Sequence, residues 1–361
     1  MLAVLLTPPG RGALAVLHVA GDGAKTLVSS LLAREVTDRP RLGKLTHRGE
    51  VLDEVVARVA PGFTGEETVE VTSHGSPAVV ERVLRALEEN GARRADSADL
   101  LERGVETGHL DRIRAEAWTL LPRAPTELTA RVLNDQAEGA LSKAVTALSG
   151  PADADRLLST AALGVALASP RRVVLAGAPN VGKSTLFNAL FEKDRVIVSP
   201  EPGTTRDPVR ELIAIDQVPF ELVDTAGVGE PRDLLEQLSI ERTRKALTEA
   251  DVVLFLFDAE AGASGQELRF LESLSHRRVV LLVNKVDAGS KKPLLEAFPV
   301  SAKTGVGLDE LRQRILRSLG IRPRYEAGAP VVFTARQERL LKASLPVDAA
   351  REALLRGPAE A

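Results

Sequence analysis

Residues Gly177-Ala-Pro-Asn-Val-Gly182-Lys183-Ser184-Thr185 fit G-x-x-x-x-G-K-[ST], the pattern of a phosphate-binding loop, and no other stretch restricts the fold as much. Such a loop works only between a strand and a helix. Its glycines let backbone N–H groups turn inward onto phosphates, and the helix N-terminus adds the positive end of its dipole. The flanks agree. Arg172–Ala176 is a short apolar run that reads as a buried strand, and Leu186–Leu190 carries apolar residues at helical spacing. Lys183 is expected to reach the β/γ-phosphates and the Ser184 hydroxyl to take a Mg²⁺ position, with Asn180, Val181, Gly182 and Thr185 completing the phosphate side.

Around this loop, residues 169–322 alternate apolar runs with amphipathic helices. The runs are Val173–Ala176, Phe220–Val223, Val252–Phe257 and Val279–Val283. Strands alternating with helices predict an α/β fold with a mostly parallel sheet and crossover helices on both faces. Residues 1–117 read as a mixed helix–strand domain, with strands at Leu2–Leu6, Leu14–Val19, Val51–Val59 and Val69–Thr72 and an amphipathic helix from Ser76 to Glu89. From about Arg112 to Ala168 the pattern is helical, broken at Pro122 and Pro125, with Gly150-Pro151 dividing the remainder into two helices. After Pro323 comes a polar segment, Tyr325–Pro330, and then one or two helices, including one over Thr334–Ser344.

Four further stretches follow the phosphate loop in a fixed order and together specify a guanine-nucleotide hydrolase. Pro202-Gly-Thr204-Thr205-Arg-Asp207 forms a loop that can order over the γ-phosphate, with Thr205 as a second hydroxyl ligand for Mg²⁺. Asp224-Thr-Ala-Gly227 follows a strand, placing Asp224 at the Mg²⁺ hydration shell and the Gly227 N–H at the γ-phosphate. Loss of that phosphate would release both loops. Asn284-Lys285-Val-Asp287 supplies a carboxylate, Asp287, that accepts from guanine N1–H and the 2-amino group; adenine lacks that donor pair. Ser301-Ala302-Lys303 offers a backbone N–H to guanine O6. Taken singly, these stretches also read as a turn, a solvated loop and a helix cap. A P-loop ATPase or kinase would require Asp287 to be irrelevant.

The Gln that orients water in small GTPases is missing after Gly227, where Val228, Gly229 and Glu230 stand. Glu236, Gln237 and Glu241 are the nearby candidates. A monovalent cation could replace an arginine finger, held by Asn180 and Thr204 with the carbonyls of Ser199 and Glu201.

Composition narrows the rest. A chain of 361 residues suggests two or three domains, and its 44% hydrophobic content can fill their cores. With 47 Lys+Arg against 50 Asp+Glu, binding to nucleic acid by bulk charge is not expected, although a local basic patch is open. Absence of Cys excludes disulfides, thiolate zinc sites and thiol catalysis. No membrane-spanning run is evident, and the expected location is the cytoplasm.

Beyond the nucleotide motifs, the chain resembles the tRNA-modification GTPase family called MnmE or TrmE. Thr7-Pro-Pro-Gly-Arg11-Gly-Ala, Phe63-Thr-Gly-Glu-Glu-Thr-Val-Glu70-Val-Thr-Ser-His74-Gly75 and Gly108-His109-Leu-Asp111 with Ala115-Glu-Ala117 carry the likeness, which covers roughly residues 1–322. The resemblance implies a GTPase domain (169–322) inserted in a helical domain whose halves are 118–168 and 323–361. An α+β folate-binding-like dimerisation domain (1–117) precedes them. It implies K⁺-activated GTP hydrolysis on homodimerisation of the GTPase domains. With a flavoprotein partner of the MnmG (GidA) type, it implies addition of an aminomethyl-type group to the wobble uridine of tRNA. Residue by residue, it puts the K⁺-holding Asn on Asn180, the catalytic Glu on Glu236 and the Mg²⁺ ligands on Ser184 and Thr205.

The folate pocket would fall on Arg11, His18, Glu70 and His109, although His18 and His109 stand where the family has other basic residues. The family also ends in a short Cys-containing motif that this sequence lacks, and the helical domain is shorter than the family's. A GTP-dependent assembly or binding factor, for example on the ribosome, that has lost the modification chemistry is the alternative. Among single residues, His74 is open between a pocket role and a capping or core role, and Trp118 is expected to pack between the first two domains.

Overall fold

Apolar runs of four to seven residues separated by glycine-bearing loops produce two mixed sheets. The computed structural model describes residues 1–196, 210–225, 245–274, 278–289, 296–343 and 345–357. The first part of the chain runs β1 (Leu2–Leu5), β2 (Leu14–Ala20), α1 (Ala24–Leu31), β3 (Arg41–His47), β4 (Glu50–Val59), β5 (Thr68–His74), α2 (Pro77–Glu89), β6 (Arg93–Ala95), α3 (Ser97–Glu106) and α4 (Arg112–Leu120). Four helices follow: α5 (Glu127–Ala137), α6 (Ala140–Thr146), α7 (Pro151–Leu158) and α8 (Ala161–Ala168). The remainder is β7 (Arg171–Gly177), α9 (Lys183–Asp194), β8 (Arg210–Ile215), β9 (Val218–Asp224), β10 (Val252–Asp258), α10 (Gly265–Ser273), β11 (Val279–Asn284), β12 (Phe298–Pro299), α11 (Leu308–Ser318), α12 (Ala335–Lys342) and α13 (Val347–Arg356).

Packing divides the chain into two compact units, one of 1–122, 137–146 and 351–361, the other of 123–136 and 147–350. In the first, the strand order β3-β4-β5-β2-β1-β6 makes a sheet that is antiparallel except for the parallel β1–β6 pair. One core contains Leu17, Val19, Val71, Val83 and Leu87. A smaller cluster holds Val4, Ala20 and Leu100. Ser76 stands at the N-cap of α2 as expected, but its side chain makes no capping bond; Pro77 supplies the helical start.

In the second unit the order is β12-β11-β10-β7-β9-β8, parallel except for the β8–β9 hairpin. All four expected runs lie in strands of this sheet. Its layers close around Leu175, Leu186, Phe220, Leu254 and Ile315 on one side and Phe255, Phe257 and Leu247 on the other. Gly150-Pro151 opens α7 as read, but two helices stand on each side of it rather than one, because the chain also turns at Gly139 (φ 96°) and at Thr160.

Contacts within each unit fix the helical stretches. In the second unit, Asp135 accepts from Tyr325 Oη at 2.5 Å and Gly328 N at 2.8 Å, while Gln136 bonds Ala329 O and Val331 N. In the first, Trp118 packs edge-on to Phe63 at 5.3 Å, and Arg112 donates to the Gly357 carbonyl.

Candidate nucleotide site

The phosphate loop leaves β7 at a point where only glycine fits. Gly177 has φ 138°, and a Cβ there would lie 2.4 Å from the Leu256 carbonyl oxygen. Gly182 begins α9 at φ 95°, where a Cβ would meet Asn284 Nδ2 at 2.3 Å. Asn180 takes φ 63° with its side chain exposed, and Val181 turns its side chain into the core. Val181 can therefore serve a ligand only through its backbone.

Lys183 lies across this loop, 6% exposed, donating from Nζ to the carbonyls of Gly177 (3.0 Å) and Ala178 (2.8 Å). Burial pushes its ammonium below the ordinary lysine value, with the negative charge of Asp224 opposing the shift. One turn into the site, Ser184 Oγ donates to Asp224 Oδ2 at 2.6 Å. Asp224 Oδ1 is buried without a partner among the described residues. A buried carboxylate oxygen beside a hydroxyl is an oxygen-only donor set, which fits a hydrated Mg²⁺. Thr185 is exposed on the first turn of α9.

The base-side loops converge on Asn284, which is almost fully buried at the end of β11. Its Nδ2 donates to Val181 O at 2.8 Å, and its Oδ1 accepts from Ala302 N at 3.0 Å. One amide thus ties the phosphate loop to the 301–303 loop. Ser301 Oγ donates to Asp287 Oδ1 at 2.5 Å and holds that carboxylate below the usual aspartate range, so it stays an ionised acceptor. The Ala302 N–H goes to Asn284 and the Ser301 N–H to Val306 O, which leaves the Lys303 N–H, unpaired among the described residues, as the donor for a base carbonyl.

Lys285, at φ 68°, donates to Asp258 Oδ2 at 2.7 Å. Asp258 also accepts from the Glu260 and Ala261 N–H groups. Sequence reasoning missed Asp258; its place at the end of β10, level with Asn284 in the β10–β11 register, was the available signal. Ser199, Glu201, Thr204, Thr205, Gly227 and Glu236 lie outside the described residues.

Of the second expected set, the first unit brings together only two. His18 on β2 and Glu70 on β5 are register partners, with His18 Nε2 3.6 Å from Glu70 Oε2, and Arg58 Nε donates to Glu70 Oε1 at 2.8 Å. His18 is 6% exposed, its Nδ1 has no partner among the described residues, and burial pushes its pKa down against the pull of Glu70. Arg11 is an exposed loop residue. His109 is exposed and packs over Gly65, where a Cβ would meet its ring at 2.7 Å. His74 is neither core nor cap: it is the last residue of β5, its side chain is 65% exposed, and its ring and its backbone N–H both pair with the Asp53 carboxylate, the ring at 2.7 Å.

Comparison with known proteins bears on both units. Residues 172–285 match the family described as 50S ribosome-binding GTPase, and residues 1–109 match the family described as GTP-binding protein TrmE N-terminus. The tRNA modification GTPase MnmE of Aquifex aeolicus is 33% identical over 389 residues, covering 94% of this chain and 86% of the relative. That of Bordetella avium is 35% identical over 386 residues, covering 94% and 85%. Among solved structures, Era from Aquifex aeolicus bound to GDP and AlF4⁻ is similar at 30% identity with a TM-score of 0.36, over 48% of this chain and 68% of that one.

Proposed function

The chain belongs to the MnmE family of tRNA modification GTPases and is a GTP hydrolase, and on that premise we propose that it acts with a flavoprotein of the MnmG (GidA) type on tRNA. The product would carry an aminomethyl-type group on the wobble uridine, made in the cytoplasm by a homodimer. The observation that carries the guanine-specific part is the Asn284 bridge, which ties the phosphate loop to the loop whose Ser301 holds Asp287 and whose Lys303 N–H would face the base. Exposed Leu42 and Val56, cross-strand partners near the edge of the first sheet, support the homodimer. The links from Asp135 and Gln136 to 325–331 support 118–168 and 323–361 as halves of one helical domain around the GTPase domain.

In this reading Lys183 leaves its loop carbonyls for the β/γ-phosphates, so the loop is preformed and the ammonium exchanges one set of oxygens for another. Ser184 and Thr205 would hold Mg²⁺, which would neutralise phosphate charge. Asn180 and Thr204, with the Ser199 and Glu201 carbonyls, would hold K⁺ in the place of an arginine finger. Glu236 orients the attacking water, and Thr185, Gly227 and Lys285 complete the nucleotide contacts. A folate derivative would sit against Glu70 and His18, the two expected residues that pair across β2 and β5.

The test is GTP turnover by the purified protein in KCl and in NaCl at matched ionic strength. Turnover should be at least about tenfold faster in KCl, the scale of a charge contact at the transition state. Equal rates would remove K⁺ from the mechanism.

A further inference from the structure

A groove of about 1370 Å³ lies within the second unit, away from the nucleotide loops. It is bordered by the start of α8 and its preceding turn, by one side of α11, and by the segment 320–331. That volume exceeds the usual small-molecule pocket. Arg317, Arg322 and Arg324 line it against a single carboxylate, Glu326. Arg317 is engaged by Glu310. Arg322 and Arg324 are exposed and make no ion pair among the described residues.

The segment that carries these two arginines has no helix or strand, yet it is pinned along its length. Tyr325 Oη and Gly328 N donate to Asp135, Ala329 O and Val331 N bond Gln136, and Val332 N donates to Thr160 Oγ1 at 3.0 Å. Side chains within the fold hold an irregular loop in one shape, so little backbone entropy is lost when the guanidinium groups meet a ligand. The chain as a whole carries a formal charge of −3, so a polyanion must be met locally.

We propose that this groove binds the phosphate backbone of the tRNA substrate, with Arg322 and Arg324 as phosphate contacts; the inference rests on the tRNA reading above. Arginine forks suit phosphate oxygens, and Tyr325, the only tyrosine, lines the same groove with an apolar ring face.

The experiment measures binding of an unmodified tRNA transcript by fluorescence anisotropy across a KCl series. The full chain is compared with the double variants Arg322→Ala/Arg324→Ala and Arg322→Lys/Arg324→Lys. The alanine pair should bind about tenfold more weakly near 0.15 M salt, with a log K against log salt slope shallower by roughly 1.5. The lysine pair should retain the wild-type slope, and GTP turnover should be unchanged in both. Wild-type affinity and slope in the alanine pair would overturn the groove alone. No tRNA binding by the wild-type chain at low salt would overturn the tRNA reading itself.

Discussion

In the proposed reading Asp287 would carry base choice through two accepted hydrogen bonds, and Ser301 donates to its carboxylate. Asp287→Asn replaces one acceptor by a donor, which mismatches the guanine 2-amino group and matches the carbonyl that xanthine has there. GTP kcat/KM should fall by about a hundredfold, the scale of two charge-assisted bonds, and XTP should become the better substrate in steady-state assays. A variant that still prefers GTP would show that Asp287 does not read the base. His18 gives a different prediction. Burial lowers its folded pKa below the ordinary value of about 6.5. The unfolded chain therefore binds more protons in that range, and stability should be full above pH 6.5 and decline as pH falls below it. Urea midpoints of His18→Gln should decline less between pH 7 and pH 5 than those of the wild type. Parallel declines would place the acid sensitivity elsewhere.

Helix α8 is apolar on every side and buried, and Gly164 is where it meets the 331–332 segment. An added Cβ would lie 2.2 Å from the Val332 carbonyl oxygen and 2.4 Å from Val331 Cγ1. Gly164→Val should cost about 3 kcal/mol in urea unfolding, the upper range for overpacking; a loss below about 0.5 kcal/mol would mean the contact can relax. The same scale shows what the sequence displayed. Strands β7, β10 and β11 were legible because each carries a continuous apolar run, and β9 because Glu221 alone interrupts its apolar run from Phe220 to Val223. Strand β3 was not, because Gly43 and the register shift after Leu45 break its alternation. Strand β8 was also hidden, as a short antiparallel edge strand beginning with Arg210 and Glu211. At the site, the phosphate loop announced itself through spacing. Asp258 did not, since its bond to Lys285 spans 27 residues and exists only once β10 and β11 pair in register.

For the whole molecule, α11 reaches from α9 to the groove. Its Arg312, buried, donates to Asp194 at the end of α9, just before the segment expected to cover the γ-phosphate. One helical turn on, Leu316 and Arg317 line the groove assigned to tRNA. In the proposed reading, the helix that touches α9 would also border the tRNA groove. The most direct measurement is mass spectrometry of tRNA nucleosides from a strain lacking this gene, complemented either by the wild-type chain or by Asp287→Asn. Aminomethyl-type wobble uridines should vanish on deletion, return with the wild type and stay absent with the variant. An unchanged nucleoside profile on deletion would contradict the account and leave a GTPase with a different task, such as assembly on the ribosome.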